Sequence, residues 1–266
     1  MQTTATAEAS TFPRLLLKHA TERPGAPAMR EKEYGIWQTR SWADMAVLVE
    51  HLACGLHQAG LQRGEHMIVV GANRPRLSAT MLAAQALGAI PVPLYQDAAA
   101  AECVFPITNA EVRFCLVEDQ EQVDKMLEVR ETCPLLAHIY YDDPRGLRNY
   151  NEAGLTALDD LRTAGQRFAA SHPTFFKDEV AKAHATDVAA MFFTSGTTGN
   201  PKGVVHTHNG LIDRARAGAE FDKLTSNEEV LAYLPPAWIG QNIFSYSQWL
   251  ACGYVVNCPE SASTVM

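Results

Sequence analysis

Among its six cysteines (54, 103, 115, 133, 252 and 258) the chain of 266 residues has no C-x-x-C pair and no zinc-ligand cluster. A zinc ribbon and a thioredoxin-like redox motif are thereby excluded. Most of the thiols stand among apolar neighbours and read as reduced core residues of a cytoplasmic protein. Positive charge is not in excess either. The formal net charge of −8 excludes a general electrostatic hold on nucleic acid or on an anionic membrane, so any bound anion must be held locally. The opening MQTTATAEAST lacks the basic and apolar regions of a secretory signal and reads as a polar leader over residues 1–11. No run reaches the ~20 apolar residues of a membrane span. The nearest, residues 79–95, is broken by Gln85, Gly88, Pro91 and Pro93, and reads instead as a helix followed by a strand. Fixed-period repeats and low-complexity segments are missing too, and with 47% apolar and 20% charged residues the composition is that of an ordinary globular protein.

What is present is alternation. SWADMAVLVEHLACGLHQAG opens with a capping-box-like Ser41 and Asp44, places Met45, Leu48, Val49, Leu52 and Leu56 on one helical face, and stops at Gly60. An apolar run at 66–71, a helix at 75–88, a strand at 90–95, a strand at 112–118, the helical DQEQVDKMLEVRE and a fourth strand in LAHIYYD follow. Strand and helix in turn predict βαβ units with right-handed crossovers and a mostly parallel, buried sheet. Pro106 falls inside a helical stretch and predicts a kink or an early end there. Hairpin signals lie at 27–42, and residues 142–187 are more polar, with a DDPRG turn and helices around Leu158 and Val180. The expected fold class is α/β, as layered βαβ subdomains. A first subdomain spans 12–186, and the start of a second spans 187–266.

The second opens on MFFTSGTTGNPKGVVHTH, residues 191–208. Strands are expected at 188–193 and 203–206, with a helix at 209–221 capped by Asn209. A loop dense in Ser, Thr and Gly therefore joins two strands. It is not a P-loop of the form G-x-x-x-x-G-K-[ST], because Pro201 precedes Lys202 and Gly203 follows it, leaving no hydroxyl for a magnesium ion. The same physical logic applies in another form. Gly196 and Gly199 free the backbone to turn its N–H groups toward an anion, Thr194, Ser195, Thr197 and Thr198 offer hydroxyl donors, and Lys202 adds a point charge suited to phosphate. From composition alone, a solvated turn with an incidental lysine is the other reading.

The string T-S-G-T-T-G-x-P-K-G-V, Thr194 to Val204, resembles at every defined position the phosphate-binding signature of the adenylate-forming, or AMP-binding, superfamily of acyl-CoA synthetases, luciferases and adenylation domains. ALGAIPVPLYQD and VRFCLVEDQEQVDKM are similar to its long-chain acyl-CoA synthetase branch, and AYLPPAWIGQ (232–241) falls where that family has a segment beside the acyl and nucleotide sites. The resemblance implies an acid–thiol ligase: the carboxylate of an acid, expected to be a long-chain fatty acid, attacks the α-phosphorus of ATP, and coenzyme A then displaces AMP. It implies nucleotide-binding roles for Thr194, Ser195, Gly196, Thr197, Thr198 and Gly199, a catalytic electrostatic role for Lys202, substrate contacts from Trp238 and Gly240, and Mg²⁺ beside the phosphates. An aryl- or medium-chain acyl-CoA synthetase, a fatty acyl-AMP ligase, and a non-catalytic phosphate- or acyl-binding module are the alternatives.

The family's acidic Mg²⁺ motif, ribose-holding Asp and C-terminal catalytic Lys are not found up to Met266. The expectation is an N-terminal portion, inactive by itself, whose partner is the remaining half of the enzyme, with an uncovered sheet edge and apolar face near Val255 and Val256. His206 and His208, two apart, have no third ligand nearby and are assigned no metal. Trp238 has a packing or lid role as its alternative, and Cys252 and Cys258, flanking a strand at GYVVN, are assigned packing only.

Overall fold

The computed structural model describes residues 10–194, 201–261 and 264. Helix α1 (Phe12–Glu22) leads to a hairpin of β1 (Pro27–Glu33) and β2 (Ile36–Ser41), turned at Tyr34 and Gly35, both in the left-handed region. Helix α2 (Trp42–Gln58) starts from a complete capping box. Asp44 N–H donates to Ser41 Oγ at 3.1 Å and Ser41 N–H donates to Asp44 Oδ2 at 2.8 Å; the Ser41 hydroxyl, donating to Asp44 Oδ2 at 2.7 Å, and then the Ser41 N–H hold the Asp44 carboxyl below its usual pKa. Then come β3 (His66–Val70), α3 (Pro75–Ala86), β4 (Ile90–Leu94), α4 (Ala100–Asn109), β5 (Phe114–Val117), α5 (Gln120–Val129), β6 (His138–Tyr141) and β7 (Leu155–Ala157).

These strands form a fully parallel sheet in the order β4-β3-β5-β6-β7. Parallel neighbours need crossovers, the crossover helices cover both faces, and so β4 and β5 read as uninterrupted buried runs. The fifth strand extends the four expected. Helix α4 runs past Pro106 to Asn109, so of the expected kink or early end, the end at the proline does not occur. The proline forfeits its own N–H, but Ala110 N–H donates to Pro106 O at 3.1 Å and the helix closes behind it.

Helices α6 (Leu158–Ser171) and α7 (Phe175–Lys182) complete this unit. Gly165 lets α6 lie directly on α2, since a Cβ there would come within 2.5 Å of Gly55 N. The chain continues through β8 (Val188–Thr194), β9 (Lys202–Thr207), α8 (His208–Phe221), β10 (Glu229–Leu231), α9 (Ile239–Asn242), a π-helical turn (Ile243–Ser247), α10 (Gln248–Cys252) and β11 (Val255–Cys258). Helix α8 is capped by Thr207, not by Asn209, because the backbone turns helical one residue earlier than expected. Gly210 N–H donates to Thr207 Oγ1 at 3.3 Å and to Asn209 Oδ1 at 2.9 Å.

A second, mixed sheet has the order β10-β11-β1-β2. Strand β11 lies inside it, parallel to β1 on one side and β10 on the other, and Val256 is fully buried. The expected open edge and uncovered apolar face at Val255 and Val256 are therefore not present. Strands on either side of residue 186 share this sheet. All six cysteines are free thiols, five buried and Cys252 half-buried. No helix among the described residues is long and apolar enough to cross a membrane.

Candidate phosphate loop and acyl-side turn

Strands β8 and β9 pair antiparallel, with Phe192 opposite Val204, Phe193 opposite Gly203 and Thr194 opposite Lys202. The last pair closes the stem of the Ser/Thr/Gly loop. Thr194 and Lys202 are both exposed, and Lys202 makes no ion pair with a described carboxylate. Its ammonium is thus not neutralised by a described neighbour, which suits attraction of an anion. The other predicted loop residues, Ser195, Gly196, Thr197, Thr198 and Gly199, lie outside the described residues.

The stem is fixed from within. Phe192 is buried, Phe193 meets Phe105 of α4 edge-on at 6.2 Å, and Gln85 of α3 donates from Nε2 to Ala189 O at 2.8 Å. A cleft of about 400 Å³ opens beside it, lined by Tyr95, Asp97 and Glu102 together with Phe193, Thr194 and Pro201. The cleft brings the carboxyl end of β4 and the start of α4 next to the hairpin stem at Phe193, Thr194 and Pro201.

Trp238 and Gly240 occupy a different element, the turn between β10 and the π-helical segment. Trp238 caps α9, its N–H donating to Pro235 O at 3.0 Å and its carbonyl accepting from Asn242 N–H at 3.2 Å. Its indole is 42% exposed and lies flat on Gly240: a Cβ added there would fall 2.6 Å from Cζ2 and 2.5 Å from Cζ3. The turn is tied to the first unit through Asn73, which donates from Nδ2 to Leu234 O at 2.7 Å and accepts from Gln241 Nε2 at 3.3 Å. A cavity of about 30 Å³ lies at this joint, and the buried Ser245 hydroxyl beside it has no hydrogen-bond partner among the described residues.

The structure thus brings Thr194 to Lys202, and Trp238 to Gly240, as two separate pairs. Gln85 links their supports. While its amide nitrogen holds β8, its Oε1 accepts from the buried Tyr246 hydroxyl at 2.7 Å, and Tyr246 belongs to the π-helical turn just after α9. From the sequence alone Gln85 reads only as an interruption of an apolar run. A polar residue within an otherwise apolar helix was the signal that it had buried partners.

His206 and His208 are not gathered. His206 sits on β9 against Phe192 at 5.9 Å, whereas His208 starts α8, is buried, and accepts from Phe12 N–H through Nδ1 at 3.3 Å. Burial pushes its pKa down to about 4, with Asp187 opposing and Arg14 reinforcing the shift, so the ring is neutral and structural.

A parallel α/β sheet followed by an antiparallel hairpin that carries a hydroxyl- and glycine-rich loop is the fold of the N-terminal domains of adenylate-forming enzymes. The anthranilate CoA ligase AuaEII, solved in complex with anthranoyl-AMP, superposes with a TM-score of 0.81 over 97% of this chain and 46% of its own, at 17% identity. The fatty acyl-adenylate ligase from L. pneumophila superposes with a TM-score of 0.73 over 94% of this chain and 39% of its own, at 16% identity. At such identities the likeness shows the fold alone.

The chain belongs to the AMP-binding enzyme family, whose model matches residues 16–266. It is 26% identical over 227 residues to the long-chain-fatty-acid–CoA ligase FadD15 of Mycobacterium bovis, covering 85% of this chain and 36% of the relative. It is 30% identical over 212 residues to the human long-chain-fatty-acid–CoA ligase ACSBG2, covering 79% of this chain and 31% of the relative. The chain therefore spans about a third of the length of these relatives.

Proposed function

We propose that the chain forms part of an enzyme that activates a carboxylic acid, of the long-chain fatty class, with ATP to an acyl-adenylate and then transfers the acyl group to coenzyme A. The observation that carries this reading is the pairing of Thr194 with Lys202 across the mouth of the hairpin, in a chain of the AMP-binding enzyme family. The names of the relatives support the acid class and the thiol acceptor.

In this reading the carboxylate attacks the α-phosphorus of ATP, the bond to the β-phosphate oxygen breaks, and pyrophosphate leaves. The charge that develops on the leaving group is met by fixed donors: the hydroxyls of Thr194, Ser195, Thr197 and Thr198, backbone N–H groups freed by Gly196 and Gly199, and the Lys202 ammonium. A rigid stem matters because donors aimed in advance need no reorganisation during reaction. Hydrogen bonds and packing at Ala189, Phe192 and Phe193 supply that rigidity. Trp238 and Gly240 contribute to the acyl side. Among the described residues no group of three or more His, Cys, Asp or Glu side chains is gathered to hold a metal ion. No residue here is therefore assigned to Mg²⁺, and no step is routed through it.

The test is pyrophosphate exchange by the full-length protein carrying Lys202→Ala or Thr197→Ala. Removing one preorganised donor lowers the rate by about 10²–10³-fold, ~3–4 kcal/mol of transition-state stabilisation. Unfolding free energy changes by less than about 0.5 kcal/mol, since an exposed loop contributes little to the core. Unchanged exchange in both variants removes the phosphate assignment.

A further inference from the structure

Gly240 presents a local contradiction. It lies in a helical turn, α9, without a positive φ, and alanine there is the better helix former. No backbone reason requires glycine. The space its missing side chain leaves is filled by the six-membered ring of Trp238, with three ring atoms, Cη2, Cζ3 and Cζ2, lying where a Cβ would touch. A position that forgoes local propensity for no backbone gain points to function.

We propose that Gly240 is a positioning residue that fixes the rotamer of Trp238, and through it the acyl-chain preference of the enzyme. This rests on the reading of Trp238 as an acyl-side residue. The obstructing atoms are the far end of a side chain already 42% exposed, so a methyl at 240 displaces the ring outward and leaves the fold intact. The backbone at 238 stays in place through the Pro235 and Asn242 hydrogen bonds. What changes is the position of one indole. An apolar wall moved by about the width of a methyl changes discrimination between acids that differ by one or two methylenes. A bulkier residue moves the ring further and changes the preference more, giving a graded series Gly, Ala, Val at 240.

The experiment uses the full-length protein in a Trp37→Phe background. Of the four tryptophans in these 266 residues, Trp42 and Trp249 are fully buried and Trp37 and Trp238 are substantially exposed, so the part of the acrylamide-quenched emission that is lost in a companion Trp238→Phe variant reports Trp238. Gly240→Ala is expected to keep the far-UV circular dichroism spectrum, to raise acrylamide quenching, and to shift the kcat/KM ratio between a long and a medium-chain acid on the order of ten-fold. Gly240→Val shifts both further. Trp238→Ala is measured alongside.

Unchanged quenching in Gly240→Ala means that the ring has not moved and overturns the positioning role; if Trp238→Ala still shifts the ratio, the acyl-side reading stands. Raised quenching with an unchanged ratio in both Gly240→Ala and Trp238→Ala overturns the proposal through the reading on which it rests. A purely structural role for Gly240 is overturned in turn by a ratio that moves while KM for ATP and the melting temperature do not.

Discussion

The five-stranded unit and the hairpin that follows it are built on opposite terms. In the former, β5 is buried at every residue, and Phe114, itself fully buried, stacks on the half-buried His138 at 4.4 Å. In the latter, the first four residues of β9 are exposed, and Val204 and Val205 remain 39% and 54% accessible. Both are short strands of four to six residues. The difference is what covers them: crossover helices enclose the first on both faces, whereas the second is held chiefly along β8 by Gln85, Phe105 and the start of α8. Stability is thus concentrated in one region and candidate chemistry in the other, the usual division between a rigid scaffold and the loops it presents.

The sharpest way to break that division is a core truncation. Phe114→Ala removes a fully buried ring from β5 and is expected to cost about 3–5 kcal/mol of unfolding free energy. Chemical denaturation measures it, against the near-zero change of Lys202→Ala. If Lys202→Ala destabilises as much as Phe114→Ala, the hairpin is structural and the comparison fails.

A second effect, somewhat smaller, sits at the seam. His208 has a folded pKa of about 4 against an ordinary value of 6.5. A base depressed on folding stabilises the native state fully above its unfolded pKa, and that stabilisation is lost as pH falls from about 6.5 through about 4. The loss is up to ~3 kcal/mol. Protonation also removes the Nδ1 acceptor from Phe12 N–H. His208→Gln keeps an acceptor without the titration and should flatten the stability profile between pH 7 and 5. His19, likewise buried and lowered, keeps part of the slope. Equal slopes in wild type and His208→Gln, measured by urea denaturation, assign the acid sensitivity elsewhere.

Periodicity made the enclosed region legible: four parallel strands, the helices between them and the capping box at Ser41 are all written in consecutive residues. Strand β7 was not, because Leu155–Ala157 is three half-buried residues in a polar stretch and becomes a strand only by pairing with β6. The same limit hid the place of β11. Its apolar run marks a strand, but its partner β1 lies more than 200 residues earlier, and nothing local selects that partner. At the candidate site the loop was legible as a string, and its seat between two antiparallel strands followed from the flanking apolar runs. The Gln85 bridge and the Trp238–Gly240 contact were not legible, since each depends on which side chains tertiary packing brings together.

The smallest expected effect compares one cap in each region. Among the described residues Ser41 is the one side-chain acceptor for Asp44 N–H, and Asp44 returns a bond to Ser41 N–H, so both members of the box depend on one another. Ser41→Ala removes the acceptor and leaves that donor to water, at a cost of ~1 kcal/mol. At the start of α8 the arrangement is redundant. Gly210 N–H is shared between Thr207 Oγ1 at 3.3 Å and Asn209 Oδ1 at 2.9 Å, and the nearer acceptor survives Thr207→Ala. That variant is therefore expected to lose only a few tenths of a kcal/mol, and the double variant Thr207→Ala/Asn209→Ala more than the sum of the singles, because each acceptor compensates for loss of the other. Denaturation midpoints of the four proteins measure the coupling. Strict additivity at α8 would mean that the two acceptors do not share the amide, and the two caps would then differ in geometry alone.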